Sequence, residues 1–264
     1  MTADPRAEII RTEAVTKRFG GLVALDGVDY VLRENEVAGI FGSNGAGKSL
    51  FFNLITGFYQ PDEGTIYFRG EDVTRRSPQQ RVARGMMRTF QLTSTFDNLS
   101  VIDNLVLAFF RAHKKHSVLR LFVNTCKRHR REPRIVKALH DFDLENVRDR
   151  EVRHLSLGEK RLLEIAMTLI AAPTLLMFDE PLAGLSESEI QRILSVLRSR
   201  VGQQTILIVE HKISHVQDFV QRLSVMHEGR IIADGGVEEC LQHPEVRRSY
   251  WQIEIPAAAR DAAP

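Results

Sequence analysis

Three short stretches of this chain carry side chains suited to one chemistry, the handling of a nucleoside triphosphate. The run Gly42, Ser43, Asn44, Gly45, Ala46, Gly47, Lys48, Ser49 matches the phosphate-cradling pattern G-x-x-x-x-G-K-[ST] at each fixed position. Its glycines let consecutive backbone N–H groups turn onto phosphate oxygens, Lys48 brings an ammonium, and the Ser49 hydroxyl is a ligand for Mg²⁺. A bland glycine-rich turn is the alternative, and the flanking residues argue against it. The second stretch is Asp179 with Glu180, two carboxylates that close the apolar run 174–178. There Asp179 suits Mg²⁺, directly or through water, and Glu180 suits the water that attacks a γ-phosphate. A helix-capping acid pair is the competing account. The third is Glu210 with His211, which closes the run 205–209. A strand-end histidine is often structural, but this one falls on the side of the sheet where ligands bind.

These residues need elements to position them, and the hydrophobic pattern supplies an α/β arrangement. Residues 37–41 form a buried strand leading into the loop, and 48–55 a helix whose positive N-terminus faces the anion. Residues 9–15, 24–32 and 64–69 are β-branched or alternating, with turn residues between, and predict a small antiparallel sheet around the P-loop strand. Phe19 sits in the first connection, among Lys17, Arg18, Gly20 and Gly21. Such a ring can stack on a base, although composition alone favours a phenylalanine tucked into the core. A helix is expected over 78–87, then a loop with Gln91, then a helix over 99–110 with Ser100 or Asp97 at its start. The helix over 155–170 is the clearest, stopped by Pro173. Ser156 and Glu159 are spaced as a capping box at its start, and Ser156, Gly158 and the helix N-terminus also make a second anion site. Ser186 and Glu189 form another capping box before a helix over 190–201. Residues 223–226 and 230–233 read as a hairpin. No internal repeat is evident, and the Ala-rich tail is expected to be disordered.

Composition narrows the class. The chain has 264 residues, 43% of them apolar, enough for one large α/β domain or a core with a small lobe. A formal net charge of +2 points to no polyanionic partner. Cys126 and Cys240 form no C-x-x-C pair, which argues against a zinc site or a disulfide scaffold and suits a reducing cytoplasm. No apolar run approaches the ~18 residues of a spanning helix, so membrane association would come through another protein or the surface. Locally, the segment 111–134 is strongly basic, with Arg111, Lys114, Arg120, Arg130 and Arg134 among nine cations. A solvated helical face is the first account, contact with anionic lipid or a membrane partner's acidic loops the second, and nucleic acid the third.

Together these residues resemble the ATP-binding subunit of an ABC transporter over most of the chain, 9–252, with the tail 253–264 outside it. The resemblance implies a P-loop NTPase cassette with a mixed central sheet, an N-terminal antiparallel β lobe and a helical subdomain inserted over about 91–170. It implies that Phe19 stacks on adenine and that the loop from Gly42 to Ser49, with Leu50, binds the phosphates. Gln91 becomes the Q-loop glutamine, a catalytic and metal-linked residue beside Ser49 and Asp179. Ser156, Gly158 and Glu159 belong to the signature, Glu180 is the base, Ala183 to Ser186 form the D-loop, and His211 is the switch histidine. Two such domains dimerise head to tail around ATP and Mg²⁺, and transmembrane permease subunits complete the assembly at the cytoplasmic face of the membrane. Arg88 to Gln91, the segment Leu162 to Met167, and Pro244 to Val246 with Tyr250 look like bacterial importers of branched-chain and other hydrophobic amino acids, amides or urea. Those systems use a periplasmic binding protein.

The departures are specific. The usual LSGGQ signature reads Leu155, Ser156, Leu157, Gly158, Glu159 here, so Leu157 replaces a glycine and Glu159 a glutamine. A carboxylate at 159 repels a phosphate unless it turns back to cap Ser156. Ser186 stands where many members carry aspartate, and Trp251 where the subfamily ends in Leu-Gly. A small GTPase or nucleotide kinase would share the P-loop, but the sequence has no N-K-x-D guanine-reading motif, and the signature upstream of Asp179 has no role in either. A soluble ABC ATPase acting on nucleic acid or ribosomes usually carries two cassettes or a long coiled coil, and the sequence shows neither. A regulatory module that holds ATP without hydrolysing it stays open.

Overall fold

The computed structural model describes residues 6–89, 95–113 and 129–251. In chain order its strands are β1 (Glu8–Phe19), β2 (Leu22–Arg33), β3 (Val37–Phe41), β4 (Glu63–Phe68), β5 (Glu71–Asp72), β6 (Met86–Thr89), β7 (Leu175–Asp179), β8 (Thr205–Glu210), β9 (Arg222–His227) and β10 (Arg230–Gly235). Its α-helices are α1 (Lys48–Thr56), α2 (Pro78–Val82), α3 (Val101–His113), α4 (Pro133–Asp141), α5 (Leu157–Ile170), α6 (Glu187–Arg198), α7 (Val237–Gln242) and α8 (Pro244–Trp251). The chain divides into two compact units, Met1–Arg81 with Gly202–Pro264, and Val82–Val201.

The first unit holds two sheets. β1 pairs antiparallel with β2 on one side and β4 on the other, and β5 extends β4. This is the expected antiparallel lobe, but it is not built around the strand that precedes the phosphate loop. That strand, β3, lies in a different sheet, parallel to both β8 and β9, with β10 antiparallel beyond β9. The reason is visible in the side chains. β3 and β8 are buried at every position, whereas β1 and β2 mix buried and exposed residues along their length. Strands covered on both faces are apolar throughout and suit parallel pairing; strands with a wet face suit an antiparallel lobe. Phe51, Phe52, Leu54 and Ile55 of α1 are buried too, so the helix that follows the loop is held by its own apolar face.

The second unit carries the helices. α3 buries Val101, Ile102, Leu105 and Val106, and α5 buries Leu162, Leu163, Ile165 and Ala166; the two pack against each other and against α4. Ser100 starts α3, its hydroxyl accepting from the Asp103 N–H at 3.3 Å. The helix expected over 78–87 is much shorter. α2 stops at Val82, Gly85 takes φ +97°, and Met86–Thr89 becomes β6, parallel to β7. A left-handed φ ends a helix, and a Cβ at Gly85 would meet Thr174 Oγ1 at 2.8 Å, so only glycine lets the chain turn there beside the start of β7. Among the described residues no helix is long and apolar enough to cross a membrane. The tail 253–264 and most of the basic segment 111–134 lie outside the described residues.

Candidate functional site

In the first unit the phosphate loop leaves β3 at Phe41 and enters α1 at Lys48. Gly47 has φ +102°, and a Cβ there would come within 2.8 Å of Leu25 Cδ2 and 3.3 Å of the Ala24 carbonyl, which explains the glycine. The loop is tied down at Ala46, whose carbonyl accepts from the Gly229 N–H at 3.1 Å, while the Gly229 carbonyl accepts from the Asp26 N–H at 3.0 Å. The buried Lys48 ammonium donates to the carbonyls of Gly42 at 2.7 Å and Ser43 at 2.9 Å, so it is held inside the loop curve. α1 starts without a side-chain cap and without an acid in its first turn, which includes Ser49 and Leu50. Its positive end therefore faces the loop with no built-in anion, the arrangement that suits phosphate. Ser43, Asn44 and Gly45 are exposed along the rim.

Two further expected residues lie in this unit. The β3–β8 register pairs Phe41 with Glu210, so Gly42 and His211 follow at the same end of neighbouring strands. His211 Nδ1 stands 3.9 Å from the Glu210 carboxylate. Phe19 is the last residue of β1, paired with Leu22 across a tight turn, and not a loop residue tucked into the core. The residue is 47% exposed, and its ring meets Tyr59 edge-on at 5.9 Å and has Lys17 Nζ at 5.6 Å. An exposed ring with a cation beside it is an open stacking surface.

In the second unit β7 is buried along its length and ends in Asp179, whose residue is 1% exposed. Arg88 of β6 reaches it, Nη2 to Oδ2 at 2.5 Å. Glu180 then takes φ +48°, a left-handed conformation that a β-carbon disfavours by about 1–2 kcal/mol. Such backbone strain concentrates at functional sites, and here it bends the chain immediately after the last residue of β7. At α5 the expected capping box is complete: the Glu159 N–H donates to Ser156 Oγ at 3.1 Å and the Ser156 N–H to Glu159 Oε2 at 2.8 Å. Glu159 thus turns back onto its own helix. The Gly158 N–H donates to Glu189 Oε1 at 3.0 Å, and the other oxygen of that carboxylate accepts from the Ser186 N–H and hydroxyl. Leu157, 47% exposed, lies against Gly184. Gln91 falls outside the described residues.

The profile of the ABC transporter family matches residues 25–183. The chain belongs to the ABC transporter family. The cassette is 34% identical to the high-affinity branched-chain amino acid transport ATP-binding protein BraF of Pseudomonas aeruginosa, over 92% of this chain and 97% of the relative. It is also 34% identical to the probable branched-chain amino acid transport ATP-binding protein LivG of Methanocaldococcus jannaschii, with the same coverage. Among solved structures, the ADP conformation of an ATP-binding cassette of an ABC transporter superposes with a TM-score of 0.77 at 32% identity, covering 93% of this chain and 99% of that one.

Four residues of the cassette's sites were not marked by the sequence as chemical groups. Arg88 and Glu189 were read only as parts of motifs, yet one holds Asp179 and the other the Gly158 N–H. Tyr250 of α8 accepts from the Ser43 N–H at 2.9 Å and donates to the Met226 carbonyl, so the C-terminal helix steadies the phosphate loop. Burial raises its phenol pKa, against the Ser43 N–H, which lowers it. Tyr59 backs Phe19. Each partner is distant in sequence, so periodicity carries no trace of the pairing.

Proposed function

We propose that this cassette binds and hydrolyses ATP to drive a bacterial importer, with branched-chain amino acids, related amides or urea as the transported class. What carries the reading is the pairing of whole-length identity to branched-chain amino acid transport ATP-binding proteins with an intact set of phosphate-handling groups. Phe19 stacks on the base. The loop N–H groups from Gly42 to Ser49 bind the phosphates, and Lys48 exchanges its carbonyl contacts for phosphate oxygens. Glu180 and His211 position the attacking water, and Glu180 accepts its proton. Ser49, Gln91 and Asp179 would hold Mg²⁺. All three offer hard oxygen donors, the kind that ion takes, so the donor chemistry fits. When bound, Mg²⁺ neutralises charge on the phosphate oxygens.

Ser156, and the Gly158 N–H on exchanging Glu189 for phosphate, serve the nucleotide of a second cassette, a copy or a paralogue, packed head to tail. Transmembrane permease subunits bring the pair to the cytoplasmic face of the membrane, and a periplasmic binding protein delivers the substrate. Replacing Glu180 tests the assignment. Glu180→Gln is expected to bind fluorescent ATP normally and to cut phosphate release by roughly two orders of magnitude or more, the scale of a lost positioned base. Turnover near the wild-type rate removes Glu180 from that role. Purification from the native membrane is expected to bring down a permease; recovery with ribosomes or DNA alone sinks the importer reading.

A further inference from the structure

The 1%-exposed carboxylate of Asp179 is not left to a future metal. Strand geometry assigns it a protein cation. In a strand alternate residues share a face, so Met177 and Asp179 point the same way. The β6–β7 register sets Arg88 opposite Met177, which puts Arg88 on that face two residues short of Asp179. Two residues of strand span about 6.6 Å, within reach of an extended arginine, and the guanidinium closes the gap to 2.5 Å. The Arg88 side chain is itself 9% exposed. Two charges taken this far out of water hold each other strongly, because neither has bulk solvent to fall back on.

We propose that Arg88 is a positioning residue that competes with the divalent cation for Asp179, setting how much the metal adds to nucleotide affinity. The proposal rests on the assignment of Asp179 to the metal. Without metal, the guanidinium keeps a buried carboxylate neutralised and aimed along the strand. A divalent cation arriving at that carboxylate meets the positive charge of Arg88, so part of its binding energy goes into loosening the pair. Metal and Arg88 are then coupled with negative sign.

The coupling is measured by titrating a fluorescent ATP analogue into each protein in EDTA and in saturating Mg²⁺. The ratio of the two Kd values is the metal's contribution, and each variant supplies its own metal-free reference and its own check on folding. Arg88→Met removes the charge at similar volume and is expected to raise the ratio about tenfold, at the low end of usual site-to-site couplings. Arg88→Lys keeps the charge and is expected to leave the ratio within about twofold of wild type. A purely structural Arg88 would shift both Kd values of Arg88→Met together and leave the ratio unchanged. That result, or a smaller ratio, overturns the proposal. If Arg88→Met does not fold, Arg88→Gln is read in the same way. Asp179→Asn separates the two assignments: its ratio should fall well below that of wild type, with Ser49, Gln91 and the phosphates left to hold the metal. If Asp179→Asn keeps the wild-type ratio, the metal assignment of Asp179 is wrong and the competition proposed for Arg88 falls with it. If Asp179→Asn lowers the ratio while Arg88→Met leaves it unchanged, only Arg88's part is wrong.

Discussion

At the scale of single residues, Glu189 shows how a capping acid can acquire a second task. Its carboxylate pKa is held below the ordinary value first by the backbone N–H of Ser186, then by the Ser186 hydroxyl, with the Gly158 N–H adding to both against a small opposing effect of burial. One carboxylate therefore joins the start of α6 to the start of α5. Because the folded pKa is depressed, the ionised form stabilises the fold above the unfolded-state pKa. That stabilisation fades as pH falls below it and is gone once pH has passed through the folded pKa. We expect Glu189→Gln to lower the urea midpoint at pH 7. The gap should begin to shrink near the ordinary glutamate pKa of about 4.3 and close in more acidic solution, where the wild-type side chain is protonated too. Urea midpoints of both proteins across that range are the check, and a gap that persists undiminished in strong acid would remove the charge from the explanation.

At the scale of elements, legibility in the sequence tracked where the partners lie. α5 was readable to within two residues because its cap, its apolar face and the stop at Pro173 are all local. β7 and β8 were readable because unbroken apolar runs ending in charge have few other homes. β6 was misread as the end of a helix. Its four residues have no pattern of their own and become a strand only through β7, some ninety residues on. The same contrast explains Arg81. In the sequence it is one cation among many around 75–84, yet its side chain is buried and donates to the carbonyls of Leu54 at 2.7 Å, Ile55 at 2.5 Å, Thr74 at 3.0 Å and Arg76 at 3.1 Å. Burial pulls its pKa down to about 10, still charged at neutral pH. It thus closes the C-terminal end of α1, opposite the end that faces the phosphate loop, where a cation also suits the helix dipole. Arg81→Met strands those carbonyls at similar volume and is expected to cost about 3 kcal/mol, read from urea unfolding. A loss under about 0.5 kcal/mol, the range of ordinary surface substitutions, would mean that water replaces the guanidinium freely.

At the scale of the whole molecule, the division into two units separates the chemistry. The phosphate loop, Phe19 and His211 belong to the first, and Asp179, Glu180 and the Ser156–Glu159 signature to the second. The order of these motifs was fully legible in the sequence, because each is short and self-contained. Which chain's signature serves which nucleotide is not a local property, and no run of residues encodes it. The head-to-tail assembly proposed above makes a distinctive demand on mixtures. A Lys48→Ala chain has a damaged phosphate loop and an intact signature; a Gly158→Asp chain has the reverse, with a carboxylate added where the N–H groups should meet phosphate. Each homodimer then has two broken sites. A mixed dimer has one site broken on both sides and one wholly intact, since the good loop of one chain faces the good signature of the other. We expect the two purified variants, each inactive alone, to regain ATP hydrolysis on mixing, with activity that rises to a maximum near equal amounts. If loop and signature acted within one chain, every chain in the mixture would carry a defect in its own site and no ratio would recover turnover.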